Sequence, residues 1–247
     1  MFVIKTEANY ADSFRIVDEF YEDADEVRSF AVRCHYKKPL ISSTPSLISD
    51  VRHPNTRETL TRIAALVDSE PDWRIIEDLH RFWGQSGCGE FQLTLGHLEA
   101  MGQPHSHRSG EWVGIVYLNT PEQCRGRIGT YILRHKASSL CHITQANEEQ
   151  YEQLKEDAYD QSKWTVIAAP EMRYNRLFLF DSRYFHAMSA GFGDSPKTGR
   201  LIQIFNFKSS NFHPTKLSIT LSTGKAFENG RRHARHRNRG RVLVQRP

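Results

Sequence analysis

Residues 104–119 read PHSHRSGEWVGIVYLN, and this stretch predicts the core of the fold. Its second half, residues 112–119, is an almost continuous apolar run, as expected for a strand that is covered on both faces. Its first half places His105 and His107 two positions apart. On an extended segment, such residues point to the same face. We therefore expect two imidazoles side by side, just ahead of a buried strand.

Further short apolar runs continue along the second part of the chain. Turn residues separate them, which is typical of a β-sandwich or barrel. Besides 112–119, the predicted strands span residues 91–98, 129–133, 164–168, 177–180, 201–207 and 217–221. A charged segment over 147–159 is predicted to be a surface helix. The pattern therefore favours a mainly β fold.

The first third of the chain is predicted to be mostly helical. Apolar residues recur at helical spacing over 23–34 and over 55–67, and Asn55 can cap the second helix. A short strand over 14–17 precedes them. We predict one domain over 1–224, with a helical part over about 1–88 and a β core over about 89–224.

Composition limits the cellular context. The 247 residues are 38% hydrophobic, and no run of eighteen apolar residues predicts a membrane helix. The N-terminus lacks the apolar core of a signal peptide, so a cytoplasmic location is expected. Four cysteines form no C-x-x-C pair and are expected to be free thiols. They are Cys34, Cys88, Cys124 and Cys141.

Charge is concentrated at the C-terminus. Six arginines and no acid lie between Gly230 and Arg241. Without these six, the net charge of +4 would be −2. Such runs are usually solvated, so we predict a flexible basic tail over 225–247 and do not expect nucleic acid as the main partner.

A third histidine and an arginine complete a candidate site. His186 follows the apolar run at 177–180, and Arg200 opens the strand at 201–207. Two ligands close in sequence and one distant ligand are typical of mononuclear non-haem iron sites. A guanidinium offers a bidentate fork for a carboxylate. The simpler interpretations are that the H-x-H pair of His105 and His107 is accidental and that Arg200 forms an ion pair at the surface.

Several segments together resemble the 2-oxoglutarate/Fe(II)-dependent dioxygenases, in particular the bacterial prolyl-4-hydroxylase-like branch. The likeness covers roughly residues 13 to 208 and is weakest over 36–90. The matching segments are Ile16–Tyr21 with Val27–Ala31, His105–His107 with Trp112–Asn119, Gly129–Tyr131 with Arg134 and His135, Asn175–Ser182 leading to His186, and Gly199–Leu201.

The resemblance implies a double-stranded β-helix, which is a cupin-like jelly roll with N-terminal helices packed on it. It implies that His105 and His186 bind Fe(II) and that Arg200 binds the distal carboxylate of 2-oxoglutarate. It also implies O2 as a reactant, and hydroxylation or oxidation of a small-molecule or peptide substrate. An amino acid, a peptide or a specialised metabolite is expected.

His107 departs from the family pattern, which has Asp or Glu at this position. In one interpretation, His107 is the third ligand of a three-histidine site. In another, a carboxylate from Glu99, Glu111 or Asp181 takes its place. In the last, the metal site is lost and the chain is a non-catalytic binding protein. Histidine is too large for a halide-admitting site, so halogenation is not favoured.

Two further alternatives concern the co-substrate and the pocket. A three-histidine oxygenase that does not use 2-oxoglutarate would bind a substrate carboxylate at Arg200. His97, Tyr117 and Thr130 could reach the pocket, although core packing is the simpler role for His97 and Tyr117. Hydrolase, NTPase and dinucleotide-binding functions find no motif in the sequence.

Overall fold

The structure is a computed structural model that describes residues 13–40, 45–97, 102–107 and 112–208. Within these ranges the chain forms ten strands and five α-helices. The strands are β1 Phe14–Val17, β2 Tyr36–Lys37, β3 Leu47–Arg52, β4 Cys88–Thr94, β5 Trp112–Tyr117, β6 Thr130–His135, β7 Trp164–Ala168, β8 Arg176–Asp181, β9 His186–Met188 and β10 Arg200–Phe207. The helices are α1 Ala24–Arg33, α2 Thr56–Ala65, α3 Trp73–Trp83, α4 Pro121–Cys124 and α5 Glu148–Asp157.

The strands form two antiparallel sheets. The larger sheet has the order β1-β8-β5-β10-β4-β3-β2, and the smaller has the order β7-β6-β9. A backbone pair between His105 and His186 adds the segment 102–107 to the edge of the smaller sheet. From β4 to β10, the chain therefore passes repeatedly from one sheet to the other. This is the connectivity of a jelly roll, which confirms the predicted fold class.

Alternation along β10 explains why the larger sheet is covered on both faces. Phe205 packs with Leu60 and Ile63 of α2 on the outer face. Ile202 points to the opposite face and packs with Ile132 of the smaller sheet. Full burial of side chains of this size stabilises the fold by about 1.5–3 kcal/mol each. The outer face thus carries α1 and α2, while the inner face is left for the site.

Helix α3 was not predicted, although its ends carry recognisable signals. The carboxylate of Asp72 accepts a hydrogen bond from the N–H of Ile75 at 3.3 Å. Gly84 ends the helix in the left-handed region, with φ of 64°. An aspartate at the N-cap and a glycine after the last turn are typical helix boundaries. The predicted helices at 23–34, 55–67 and 147–159 are confirmed with slightly shorter bounds.

The part expected to be mostly helical also supplies β1, β2 and β3 to the larger sheet. The four cysteines are free. No helix in the described ranges combines the length and apolarity needed to span a bilayer. The predicted strand at 217–221 and the basic tail lie outside the described residues.

Candidate metal centre

The three predicted histidines come together between the two sheets. The ligand atoms of His105, His107 and His186 all lie within 4.8 Å of one another. The ring centroid of His186 is 4.2 Å from that of His105 and 5.2 Å from that of His107. A group of this size can hold one metal ion.

Backbone pairing aims two of the rings at the same point. His105 and His186 exchange hydrogen bonds in both directions, with N···O distances of 3.0 and 2.8 Å. Residues opposite each other in an antiparallel pair present their side chains to one face. The segment before β5 is thereby fixed against the first residue of β9.

Each of these two rings is also fixed by its own Nδ1. The Nδ1 of His105 donates to the carbonyl of Gln103 at 3.0 Å, and the Nδ1 of His186 donates to the carbonyl of Tyr184 at 2.8 Å. A carbonyl only accepts, so the proton resides on Nδ1 and the lone pair on Nε2. Imidazoles that bind metals are commonly oriented by such a hydrogen bond from the other ring nitrogen.

The environment keeps these imidazoles neutral. Burial lowers the pKa of His186 well below its usual value, and the neighbouring His105 and His107 add to the effect. Desolvation of the ring, and then the neighbouring His107, lowers the pKa of His105 to about 4, although the residue as a whole is exposed. Neutral imidazoles have the lone pair that a metal ion requires.

The ring of His107 is stacked beside that of His105, with centroids 5.5 Å apart and an angle of 27° between the ring planes. Its backbone N–H donates to the carbonyl of Ser182 at 2.9 Å. Of the carboxylates considered as substitutes for His107, Glu99 and Glu111 lie outside the described residues.

Asp181, the third such carboxylate, is engaged elsewhere. It accepts from Nε of Arg183 at 2.9 Å, and Nε2 of His142 lies 3.8 Å from it. Within the described part of the chain, the group of potential ligands therefore consists of imidazoles alone.

A cavity of about 390 Å³ extends from the histidines into the space between the sheets, and Arg200 and Thr130 also line it. Phe180 packs its ring against that of His186, with centroids 4.9 Å apart. Arg200 is 1% exposed. The predicted arginine and the predicted histidines therefore border the same space.

Arg200 has an unused hydrogen-bond donor. Its Nη2 donates to the carbonyl of Gly129 at 2.8 Å, and its Nε donates to Ser189 at 3.2 Å. Its Nη1 is buried without a partner. Burial lowers the pKa of Arg200, and no acidic side chain among the described residues forms an ion pair with it. A buried cation without an anion is costly. A carboxylate in the cavity would both pair with the charge of Arg200 and accept a hydrogen bond from its Nη1.

Gly129, whose carbonyl accepts from Arg200, can lie against Tyr117 because it has no side chain. A Cβ at Gly129 would lie 2.0 Å from the hydroxyl oxygen of Tyr117. Tyr117 is fully buried, and its hydroxyl donates to Thr130 at 3.4 Å. Tyr117 is therefore a core residue, as the simpler interpretation had it, whereas Thr130 lines the cavity.

Two other histidines are placed away from the cavity. His97 is exposed in the turn after β4, so its expected burial is wrong, because the strand ends at Thr94 rather than at 98. His135 is buried and hydrogen-bonded to Asp157 at 2.9 Å, which ties β6 to α5. Gln85 and Asn206 also line the cavity, although neither was predicted from the sequence.

Comparison with known proteins gives matches at the level of structure only. No protein-family model matches the sequence, and no curated protein matches it. Among solved structures, the chain is similar to HygX from Streptomyces hygroscopicus, determined with nickel, 2-oxoglutarate and hygromycin B bound. The identity is 13%, the match covers 85% of this chain and 89% of HygX, and the TM-score is 0.42.

Two further solved structures show a comparable likeness. One is SnoN, a non-haem alpha-ketoglutarate-dependent epimerase from nogalamycin biosynthesis, with 13% identity, coverage of 87% of this chain and 86% of SnoN, and a TM-score of 0.45. The other is a prolyl-4-hydroxylase from Pseudomonas putida, with 15% identity, coverage of 81% and 95%, and a TM-score of 0.39. At such identities each is a likeness of fold.

Proposed function

We propose that this protein is a non-haem Fe(II) oxygenase that uses 2-oxoglutarate as co-substrate. His105, His107 and His186 bind the iron, and Arg200 binds the distal carboxylate of 2-oxoglutarate. The observation that carries the proposal is the buried, unpartnered Nη1 of Arg200 in the same cavity as three converging imidazoles.

The donor set suits the proposed metal. Three nitrogen ligands on one side of an ion leave the remaining positions open, which is the arrangement that oxygen-activating iron sites require. When bound, iron with 2-oxoglutarate and O2 supplies an oxidant for a substrate C–H bond, and the co-substrate leaves as succinate and CO2. The protein supplies the ligands, the orientation and a largely apolar cavity.

Each residue has a specific part in binding. His105 and His186 present Nε2 because carbonyl oxygens occupy their Nδ1 protons. The guanidinium of Arg200, held by Gly129 and Ser189, directs Nη1 at a carboxylate. Three neutral ligands leave the ion one unit more positive than a site with a carboxylate, which strengthens its attraction for a dianionic co-substrate.

An anaerobic titration tests this proposal. Adding Fe(II) and then 2-oxoglutarate to the protein is expected to give the visible charge-transfer band of a chelated 2-oxoacid. Admission of O2 is then expected to release succinate. His97→Ala is a matched control, because His97 is exposed and does not line the cavity. Absence of both the band and stoichiometric iron binding would refute the proposal.

His107 needs its own measurement. We propose that it is the third ligand, so His107→Ala is expected to weaken iron binding strongly relative to the wild type and to His97→Ala. Full iron affinity in His107→Ala would show that the imidazole of His107 does not bind the metal.

A second function is favoured by the absence of a carboxylate from the described ligand group. A three-histidine oxygenase that does not use 2-oxoglutarate would bind a substrate carboxylate at Arg200. Oxygen consumption without succinate release, measured with candidate carboxylate substrates, would favour this function over the first.

The remaining assignments are proposals of the same kind. We propose one oxygenase domain over 1–224 and a basic tail over 225–247. We also propose an amino acid, a peptide or a specialised metabolite as the substrate. The free cysteines support a reducing, cytoplasmic environment.

A further inference from the structure

The cavity has a second polar region in addition to the metal centre and Arg200. Five buried side-chain atoms in the described part of the chain have no hydrogen-bond partner, and three of them belong to residues that line this cavity. Since buried polar atoms are almost always paired, such a concentration indicates a ligand site. The three are Arg200 Nη1, Gln85 Oε1 and Asn206 Oδ1.

Asn206 lies at the level of the histidines. In the larger sheet, Asn206 of β10 is opposite Val113 of β5, which is opposite Phe180 of β8. The ring of Phe180 contacts that of His186, with centroids 4.9 Å apart. Adjacent strands are about 4.8 Å apart, so this row of residues leads across the inner face to the metal centre. Phe180 is two strand spacings, about 10 Å, from Asn206, so a molecule that binds at Asn206 and extends along this row would reach the metal centre.

The loop that carries Gln85 is held rigidly next to Asn206. The carboxylate of Glu90 accepts from the backbone N–H groups of Ser86 at 2.7 Å and Cys88 at 2.6 Å. The carbonyl of Gly87 accepts from the N–H of Asn206 at 2.8 Å. Gln85 itself is 1% exposed. The backbone that carries both acceptors is thus fixed before any ligand binds, which reduces the entropic cost of binding.

The rest of this region limits the chemistry of the ligand. Ile75, Ile76 and Leu79 of α3 form an apolar wall. The charged side chains among the described lining residues are Arg200 and Lys208, both basic. A divalent ion held by neutral imidazoles would add further positive charge. A cationic ligand is therefore disfavoured, while the amide oxygens require an N–H or O–H donor.

We propose that Gln85 and Asn206 form the subsite for the primary substrate, and that this substrate is an uncharged amide or alcohol with an apolar body. A primary amide donates one N–H to each of the two amide oxygens, an alcohol donates its O–H to one of them, and the apolar part lies against α3. That the bound molecule is the substrate to be oxidised rests on the proposed function. The binding preference itself does not.

A set of matched probes tests the preference on the full chain without iron or 2-oxoglutarate. The probes are 4-methylpentanamide, methyl 4-methylpentanoate and 4-methylpentylamine, which share an apolar body but differ in donor and charge. Ligand-observed NMR titration is expected to show the amide binding about fivefold or more tightly than the ester, because an unpaired buried acceptor costs about 1 kcal/mol or more. The protonated amine is expected to bind more weakly than the amide.

Two variants locate the preference. In Gln85→Met and in Asn206→Leu, the ratio of amide to ester affinity is expected to fall toward one. Gln85→Met should also raise the melting temperature of the ligand-free protein by about 2–4 °C, since it removes a buried acceptor without a partner. A purely structural glutamine would give the opposite shift. Gln92→Met is the control, because Gln92 lines the same cavity but has no buried atom without a partner.

The outcomes are separable from those for the proposed function. Equal affinity of the wild type for amide and ester overturns the subsite, whatever the variants do. If Gln85→Met does not fold, the ratio in Asn206→Leu decides. An amide preference without any succinate release would refute the use of 2-oxoglutarate and leave the subsite intact. Succinate release without the preference would do the reverse.

Discussion

His105 and His186 face each other across a single antiparallel pair, with two backbone hydrogen bonds of 3.0 and 2.8 Å. This pair lies outside the regular ladder of the smaller sheet, yet it joins the segment 102–107 to β9. A cation bound by both side chains would cross-link the same two segments. Binding of a metal here would therefore be coupled to the stability of this edge.

The first prediction is that a divalent metal stabilises the protein through this pair. At a free Ni(II) concentration one hundred times the dissociation constant, linkage adds about 2.7 kcal/mol to the free energy of unfolding. His105→Ala and His186→Ala are expected to abolish the gain, whereas His97→Ala should keep it. Thermal unfolding with and without Ni(II) measures the effect. An equal gain in His186→Ala would place the metal elsewhere.

The second prediction concerns Arg200 and separates co-substrate binding from iron binding. Arg200→Lys keeps the charge but loses the bidentate fork, so the dissociation constant for 2-oxoglutarate is expected to rise about tenfold or more. Iron affinity should not change, because Arg200 does not belong to the ligand group. The charge-transfer titration reports both quantities.

A matched arginine provides the control for this change. Arg176 pairs with Asp18, with Nε 2.6 Å from Oδ1, and does not line the cavity. Arg176→Lys should leave 2-oxoglutarate binding as it is in the wild type. If Arg200→Lys also binds 2-oxoglutarate normally, Arg200 has no role in holding it.

Much of this site could be predicted from the sequence because it depends on local patterns. The spacing of His105 and His107 and the apolar runs around them predicted both the strands and the shared face. The same pattern predicted that Arg200 would begin a buried strand. The resemblance to a known family then linked these local signals to one jelly roll.

What the sequence did not predict depends on contacts between distant segments. Gln85 follows a helix over 73–83 that was not predicted, and its loop is fixed by Glu90 and by Asn206. Asn206 is a polar residue at an inward position of an apolar strand, which alternation with Ile202 and Ile204 could have indicated. Its lack of a partner is visible only when the strands are assembled.

The third prediction tests the close packing of Gly129. A Cβ there would lie 2.0 Å from the Tyr117 hydroxyl, so Gly129→Ala is expected to lower the free energy of unfolding by about 1–3 kcal/mol. It should also weaken 2-oxoglutarate binding, because the carbonyl of Gly129 holds Arg200. Urea unfolding and the charge-transfer titration measure the two effects.

Gly114 is the matched control for this substitution. It is a buried glycine within β5, but a Cβ there meets its nearest neighbours at 3.5 Å, which is an ordinary contact. Gly114→Ala is expected to cost less stability than Gly129→Ala and to leave 2-oxoglutarate binding intact. Equal effects of the two substitutions would contradict the assigned role of Gly129.

The fourth prediction concerns stability at low pH. Burial opposes ionisation of Asp181, but hydrogen bonds from His142 and Arg183 outweigh it and hold the pKa well below its usual value. The unfolded chain has an aspartate pKa of about 3.9. The unfolded state therefore binds the proton first as the pH falls, so the stabilisation is complete above about pH 5 and is lost progressively below pH 4.

Asp181→Asn removes this contribution. The difference in unfolding free energy between the wild type and Asp181→Asn is expected to be of the order of 2 kcal/mol at pH 7 and to shrink below pH 4. Urea unfolding over this pH range measures it. A difference that does not depend on pH would show that ionisation of Asp181 is not the cause.

The fifth prediction concerns the net charge of the proposed metal site, to which the neutral His107 contributes none. His107→Asp would place a carboxylate beside the ion and lower the net charge of the site by one unit. One unit charge at about 4 Å is worth about 1 kcal/mol even at the dielectric constant of water, so 2-oxoglutarate binding is expected to weaken about fivefold or more. Iron binding should be retained, because a carboxylate is also a ligand for iron.

His107→Gln separates charge from ligation, since it keeps the side chain uncharged while removing the imidazole. Weaker iron binding in His107→Gln, together with weaker 2-oxoglutarate binding in His107→Asp, would establish that the imidazole both ligates the metal and sets its charge. Tighter binding of 2-oxoglutarate by His107→Asp would overturn the electrostatic argument.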